Sequence, residues 1–200
     1  MRIISGAARG CRLQAPAGEQ VRPTPGRIRE ALFSSLMEVI SGAAVLDLYA
    51  GTGSLGLECL SRGADRVVLV EADREVQRFL RKNADEVLRR MKLAPGYVEL
   101  WPMRVDKALE QAQLRRRRFD LILADPPYAQ LEAGVPAARW LVEDVGRRGL
   151  LRPGGWLAVE HAETVEQPDE VYGLRKWRSK QFGRSVLTMF FTPREDEGEA

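Results

Sequence analysis

From residue 43 onward, apolar runs of strand length alternate with amphipathic runs of helical period, and this alternation leaves the chain few folds. The order reads strand over 44–49, helix over 54–62, strand over 66–71, helix over 74–92, strand over 97–101, helix over 105–114 and strand over 119–124. Strands joined through helices lie parallel, with the helices covering both faces of the sheet. Residues 136–151 then read as a helix, 155–160 as a strand, and 170–177 with 185–192 as a closing antiparallel pair. The expectation is a doubly wound α/β sheet, mostly parallel, Rossmann-like, with an antiparallel C-terminal strand.

Three segments are expected: a basic N-terminal hairpin or extension over 1–26, the α/β body over 27–193, and an acidic, frayed tail over 194–200. In the first, Arg2-Ile3-Ile4 and Cys11-Arg12-Leu13 read as short strands around a glycine-bounded loop that could sit outside the main core. After Arg22-Pro23-Thr24-Pro25-Gly26, the spacing of Ile28, Ala31, Leu32, Ser35, Leu36 and Val39 predicts one amphipathic helix, stopped at Ser41-Gly42.

Composition narrows the functional classes. No apolar run approaches the roughly 18 residues needed to span a bilayer, and no basic-then-apolar leader opens the chain, so a cytoplasmic protein without membrane contact is expected. Two separated cysteines, Cys11 and Cys59, and one histidine, His161, are too few ligands for a disulfide framework or a zinc site, and no metal is expected. The formal net charge is +3, but four acids sit in the last six residues, which leaves +6 on residues 1–193. Arg175, Lys176, Arg178, Lys180 and Arg184 form a run without an acid, and arginines also crowd residues 1–42. Both ends therefore suit phosphate.

Chemistry concentrates at the C-terminal ends of the strands. In Val45-Leu46-Asp47-Leu48-Tyr49-Ala50-Gly51-Thr52-Gly53-Ser54-Leu55-Gly56, a glycine turn separates the first strand from its helix, where backbone can approach a ligand closely. Glu71 ends the next strand at the spacing of a carboxylate that accepts both hydroxyls of an adenosine ribose. Asp47, Tyr49, Gly51, Gly53, Gly56 and Glu71 are thus candidate cofactor residues. Asp106 is either an acceptor for an adenine amine or a helix N-cap. The glycines also satisfy GxGxxG, which keeps an NAD-dependent reductase open, but an acid at Asp47 faces a pyrophosphate poorly and favours the cationic amino group of S-adenosyl-L-methionine.

The strand over 119–124 delivers Asp125-Pro126-Pro127-Tyr128 beside that crevice. The Asp125 carboxylate and the Pro126 carbonyl can accept the two hydrogens of an exocyclic amine while Tyr128 stacks on its ring; the nitrogen lone pair is then freed for methyl transfer. Asp125, Pro126 and Tyr128 are the candidate catalytic residues, with Pro127 at the substrate. A base buried in a duplex cannot reach such a pocket, so the target is single-stranded, looped or flipped.

This tetrapeptide resembles the (D/N)PP(Y/F) signature of methyltransferases acting on amines of adenine or guanine. The opening Met1-Arg2-Ile3-Ile4-Ser5-Gly6, the stretch from Arg22 to Phe33 and the block from Leu46 to Ala64 resemble the bacterial RsmD family, which methylates guanine N2 in 16S ribosomal RNA. The likeness runs over roughly residues 1–190, with Gly26 standing where the family pattern has an acid. It implies a class I methyltransferase fold, S-adenosyl-L-methionine over the glycine turn, and 16S rRNA or the small ribosomal subunit as partner; a monomer is expected. Arg9, Arg22, Thr24 and Arg27 are candidate substrate residues.

Rival readings are an adenine-N6 methyltransferase of DNA or RNA, the NAD-dependent reductase, and a non-catalytic RNA-binding module. His161 is expected to be structural, and Trp101, Trp140, Trp156 and Trp177 are too scattered in sequence to announce a stacking platform.

Overall fold

The computed structural model describes residues 1–16 and 26–194. Two helices, α1 (Gly26–Ser35) and α2 (Met37–Ile40), lead into β1 (Ala44–Leu48), α3 (Gly56–Ser61), β2 (Arg66–Val70), α4 (Arg74–Met91), β3 (Val98–Trp101), α5 (Val105–Leu114) and β4 (Phe119–Ala124). A small hairpin, β5 (Leu131–Glu132) and β6 (Val135–Pro136), precedes α6 (Ala137–Arg147). The order closes with β7 (Leu151–Ala162), β8 (Glu170–Val171), β9 (Leu174–Phe182) and β10 (Ser185–Phe191). No helix among the described residues is long and apolar enough to cross a membrane.

Within the described residues one sheet runs β3, β2, β1, β4, β7, β10, β9, β8. Strands β1 and β2 are parallel, as are β1 and β4, and β4 and β7; β10 is antiparallel to both its neighbours. After β1 the chain winds outward through β2 and β3, then returns to lay β4 on the other side of β1. Loops leaving the tips of β1 and β4 diverge, and a crevice opens between them.

Local chemistry explains the elements. Strands β1, β2 and β4 are apolar, β-branched in part and buried on both faces, as central parallel strands must be. Helix α4 starts where Asp73 accepts the N–H groups of Glu75 and Val76 at 2.8 and 2.9 Å, and it stops at Lys92, whose φ of 57° is left-handed. One core lies between the sheet and α1, α3 and α4; the other lies under α5 and α6.

Three expectations change. The N-terminal hairpin exists, with an Arg2 to Arg12 bridge, but it does not stand apart: Ile3, Ala8, Cys11 and Leu13 are buried in the first core. Its backbone is held by helix side chains. Glu58 of α3 accepts the N–H of Ile4 at 2.6 Å and of Ser5 at 2.9 Å; Ser61 accepts Ala8 N–H at 2.9 Å; Asn83 of α4 accepts Gln14 N–H at 2.8 Å. Irregular spacing of the four apolar residues hides this docking from a periodicity reading.

The closing pair also differs. Tyr172 and Gly173, at φ 47° and 80°, turn the chain, so the stretch expected at 170–177 divides into β8 and a longer β9 that reaches Phe182. The single helix expected after residue 26 is likewise interrupted at Leu36.

Candidate active site

At the topological switch point lies a cavity of about 1100 Å³ that touches both the turn after β1 and the corner after β4. Ligand pockets usually hold about 300–1,000 Å³, so there is room for a nucleoside-sized cofactor and a base together.

The first half is built on β1. Asp47 sits next to the C-terminal end of this buried strand, opposite Leu123 of β4. One carboxylate oxygen accepts the Gly56 N–H at 2.7 Å; the other is buried and has no hydrogen-bond partner among the described residues. Burial, aided by Asp125 and Glu71 and opposed by the Gly56 bond, pushes this carboxyl up to about 8. Beyond it the backbone turns left-handed at Tyr49, Gly51 and Gly53, at φ 59°, 56° and 88°. A tyrosine held there marks strain at the site. The Tyr49 hydroxyl is buried, lacks a partner among the described residues, and is pushed to a higher pKa chiefly by that burial.

Glu71 follows β2 and lines the cavity. Its oxygens accept the N–H of Gly51 at 2.9 Å and of Asp73 at 2.8 Å, so it ties the glycine turn to the next strand tip while a carboxylate keeps further lone pairs for a ligand.

The glycines divide by task. Gly51 lines the cavity, whereas Gly53 and Gly56 do not. A methyl group on Gly53 would lie 2.7 Å from Leu80, and one on Gly56 would lie 2.3 Å from Leu69. Their expected ligand contact gives way to close packing, of Gly53 against Leu80 of α4 and Leu57 of α3, and of Gly56 against Leu69 of β2. Asp106 is also displaced from its expected places: it lies one residue inside α5, pairs with Arg104 at 3.0 Å and does not line the cavity. Position 104 holds the helix cap, and Met103, Arg104 and Val105 line the cavity in its stead.

The second half is the corner after β4. Asp125, Pro126, Pro127 and Tyr128 all line the cavity. Gln130 N–H donates to the Pro127 carbonyl at 3.0 Å, while no backbone N–H among the described residues donates to the Pro126 carbonyl. Tyr128 is 42% exposed. Its hydroxyl donates to Glu160 of β7 at 2.8 Å and also meets the Ser185 hydroxyl. Burial of the hydroxyl and the nearby Glu160 push it up to about 12, although the Ser185 bond opposes this. Glu160 and Ser185 were not singled out from the sequence, whereas the rim residue Arg184 belongs to the basic run expected to suit phosphate. Glu160 nonetheless ends an apolar run beside β4, as Asp125 does.

Other candidate residues lie elsewhere. Arg9 and Arg27 are exposed and do not line the cavity; the Arg9 carbonyl accepts from Arg90 at 3.0 Å. Arg22, Thr24 and the acids of the tail fall outside the described residues. His161 is buried, bonded to the Thr188 hydroxyl at 2.8 Å and to the Ala162 carbonyl at 2.9 Å, and burial holds its imidazole below the ordinary histidine range. The tryptophans are less scattered in space: Trp156 and Trp177 meet edge to face at 5.4 Å, with Phe191 at 5.7 Å from Trp156.

Comparison with known proteins agrees with this geometry. The family model described as conserved hypothetical protein 95 matches residues 1–191. A protein named ribosomal RNA small subunit methyltransferase D from Haemophilus influenzae is 38% identical, over 82% of this chain and 89% of its own. The protein of the same name from Escherichia coli K12 is 36% identical, over 85% of this chain and 76% of its own. The solved structure of a hypothetical protein from Thermus thermophilus superposes with a TM-score of 0.77 at 31% identity, covering 94% of this chain and 98% of that one. With the motifs, the fold and the matched length in agreement, the chain belongs to the family of conserved hypothetical protein 95, the RsmD family.

Proposed function

We propose that this chain transfers a methyl group from S-adenosyl-L-methionine to the exocyclic N2 amine of a guanine in small-subunit ribosomal RNA. The observation that carries the reading is one cavity joining Asp47, Gly51 and Glu71 to Asp125, Pro126 and Tyr128. The relatives named as small-subunit rRNA methyltransferases support the same substrate class.

The residues fit the cofactor. A buried carboxylate oxygen without a partner among the described residues, at Asp47, suits a cationic amino group, and the left-handed turn at Gly51 lets backbone lie against a nucleoside. When bound, S-adenosyl-L-methionine supplies a methyl group activated by its sulfonium charge. Glu71 has acceptor capacity for ribose hydroxyls, and Met103 and Val105 give an adenine ring an apolar wall.

On the substrate side, an aromatic amine is a poor nucleophile because its lone pair is delocalised into the ring. The Asp125 carboxylate and the Pro126 carbonyl accept its two hydrogens, favour a pyramidal nitrogen and stabilise the positive charge that develops there. Tyr128 stacks on the base and fixes its plane. The nitrogen gains a carbon and loses a proton, which Asp125 or water takes up.

The RNA track leads away from this pocket. Arg175, Arg178 and Lys180 stand opposite Phe191, Met189 and Leu187 and so share one face of β9, which ends near Arg184 at the cavity rim. Beside them Trp177 is 45% exposed, with the Arg178 guanidinium 4.2 Å from its ring centre. These cations, with Arg9, Arg22, Thr24 and Arg27 of the N-terminal part, hold flanking phosphates in this reading. Residues 1–26 then serve as a substrate-holding extension and 27–193 as the catalytic body. A single chain carries both halves of the cavity, so it acts as a monomer, in the cytoplasm where its substrate is assembled.

The test is to incubate the protein and its Asp125→Ala variant with labelled S-adenosyl-L-methionine and unmodified small subunits, free rRNA or DNA, and to identify the methylated nucleoside. N2-methylguanosine made by the parent protein and not by the variant is expected. N6-methyladenine, or an unimpaired variant, overturns the reading.

A further inference from the structure

Asp125 and the Pro126 carbonyl grip an amine and cannot tell guanine from adenine, since both bases carry one. The atom beside the amine does differ. On the Watson–Crick edge of guanine, N1 carries a hydrogen next to the N2 amine; on adenine, N1 is a bare acceptor next to the N6 amine. A pocket that selects guanine needs a second acceptor next to the first.

The sheet provides one. Ala124 of β4 pairs with Val159 of β7, so the next residues, Asp125 just past the end of β4 and Glu160 two residues before the end of β7, follow side by side. Both line the cavity. Glu160 is 5% exposed, which is rare for a carboxylate and requires partners for it. The Tyr128 hydroxyl donates to its Oε1 at 2.8 Å, so the side chain is fixed by the same residue that stacks on the base. A carboxylate has about four lone-pair sites, so it can hold the Tyr128 hydroxyl and a ligand N–H together.

We propose that Glu160 accepts the guanine N1–H and is the residue that makes this pocket select guanine. The proposal rests on the amine-methylation reading above and adds the base discrimination to it. An adenine in the same pose sets its N1 lone pair against the carboxylate, leaving two buried acceptors facing each other without a proton, an arrangement that discriminates far more strongly than a difference in shape.

The experiment uses small subunits rebuilt with rRNA that carries either guanine or 2-aminopurine at the methylated position. 2-Aminopurine keeps the amine and turns N1 into an acceptor. Wild-type protein is expected to methylate guanine at least about tenfold faster. Glu160→Gln, whose amide can present a donor to N1, is expected to lose rate on guanine and to narrow or invert that preference by at least about tenfold. Tyr128→Phe removes the bond to Glu160 but not the carboxylate, and it should slow both substrates while keeping their ratio within about threefold. Equal rates of the wild-type protein on the two bases overturn the proposal without any variant. So does a Glu160→Gln protein that is slower on both with the ratio unchanged, which is the signature of a merely structural role. If the wild-type protein places no methyl group on guanine N2, the underlying reading fails instead.

Discussion

Asp47 holds the Gly56 N–H with one carboxylate oxygen and, among the described residues, accepts nothing with the other, though the side chain is buried. With its pKa raised from the ordinary 3.8 to about 8, the group is protonated in the empty protein at neutral pH. Binding a cationic ligand beside it must expel that proton. We predict that affinity for S-adenosyl-L-methionine rises roughly tenfold per pH unit between about 6 and 8 and levels off above. Calorimetry in buffers of different ionisation enthalpy will detect the proton released; a pH-independent affinity contradicts the assignment. The same shift makes stability of the empty protein fall as pH climbs from 3.8 towards 8, because the folded state binds the extra proton. Asp47→Asn should abolish that fall while weakening cofactor binding about tenfold or more.

Asp125→Ala should lower kcat by about 10²–10³, the usual cost of one group that stabilises transition-state charge, and leave cofactor affinity within a few-fold. Tyr128→Ala should cost about 1–3 kcal/mol of base stacking. Single-turnover transfer and cofactor titration separate the two effects. Parallel losses in cofactor affinity would assign these residues to the wrong half of the cavity.

Glu58 is fully buried and binds Arg62 at 2.8 Å and Arg29 at 3.4 Å in addition to two backbone N–H groups. Removing it leaves a buried guanidinium without its counter-charge. Glu58→Ala is expected to cost about 3–5 kcal/mol, seen as a melting temperature lower by roughly 10 °C. A change below about 2 °C would mean the clamp contributes little.

Replacing Arg175, Arg178 and Lys180 together by glutamine should weaken RNA binding and flatten its salt dependence by up to about three phosphate contacts. Methyl transfer at saturating RNA should persist. An unchanged log–log slope would take β9 off the RNA path.

Much of this architecture can be read before any coordinates. Strand and helix periods set the sheet, and the switch point follows from where β4 returns beside β1. What sequence conceals is which face a residue meets. Gly53 and Gly56 match a nucleotide-binding pattern but answer to Leu80 and Leu69, because a motif records spacing and not direction. Glu160 obeys the rule that identified Asp125, an acid at the end of an apolar run, but nothing local reveals that β7 lies next to β4. The N-terminal docking depends on contacts more than fifty residues away in the chain, which no window of helical or strand length contains.

Those distant partners also set an order of events. The first hairpin is synthesised before the groups that anchor it: Ile4 needs Glu58, Ala8 needs Ser61, and Gln14 needs Asn83. During translation the leading segment has nowhere to settle until α3 and much of α4 have left the exit tunnel. The hairpin therefore waits for residues 58 and 61 before it can dock, and a nascent chain stalled before residue 83 still lacks the anchor of Gln14.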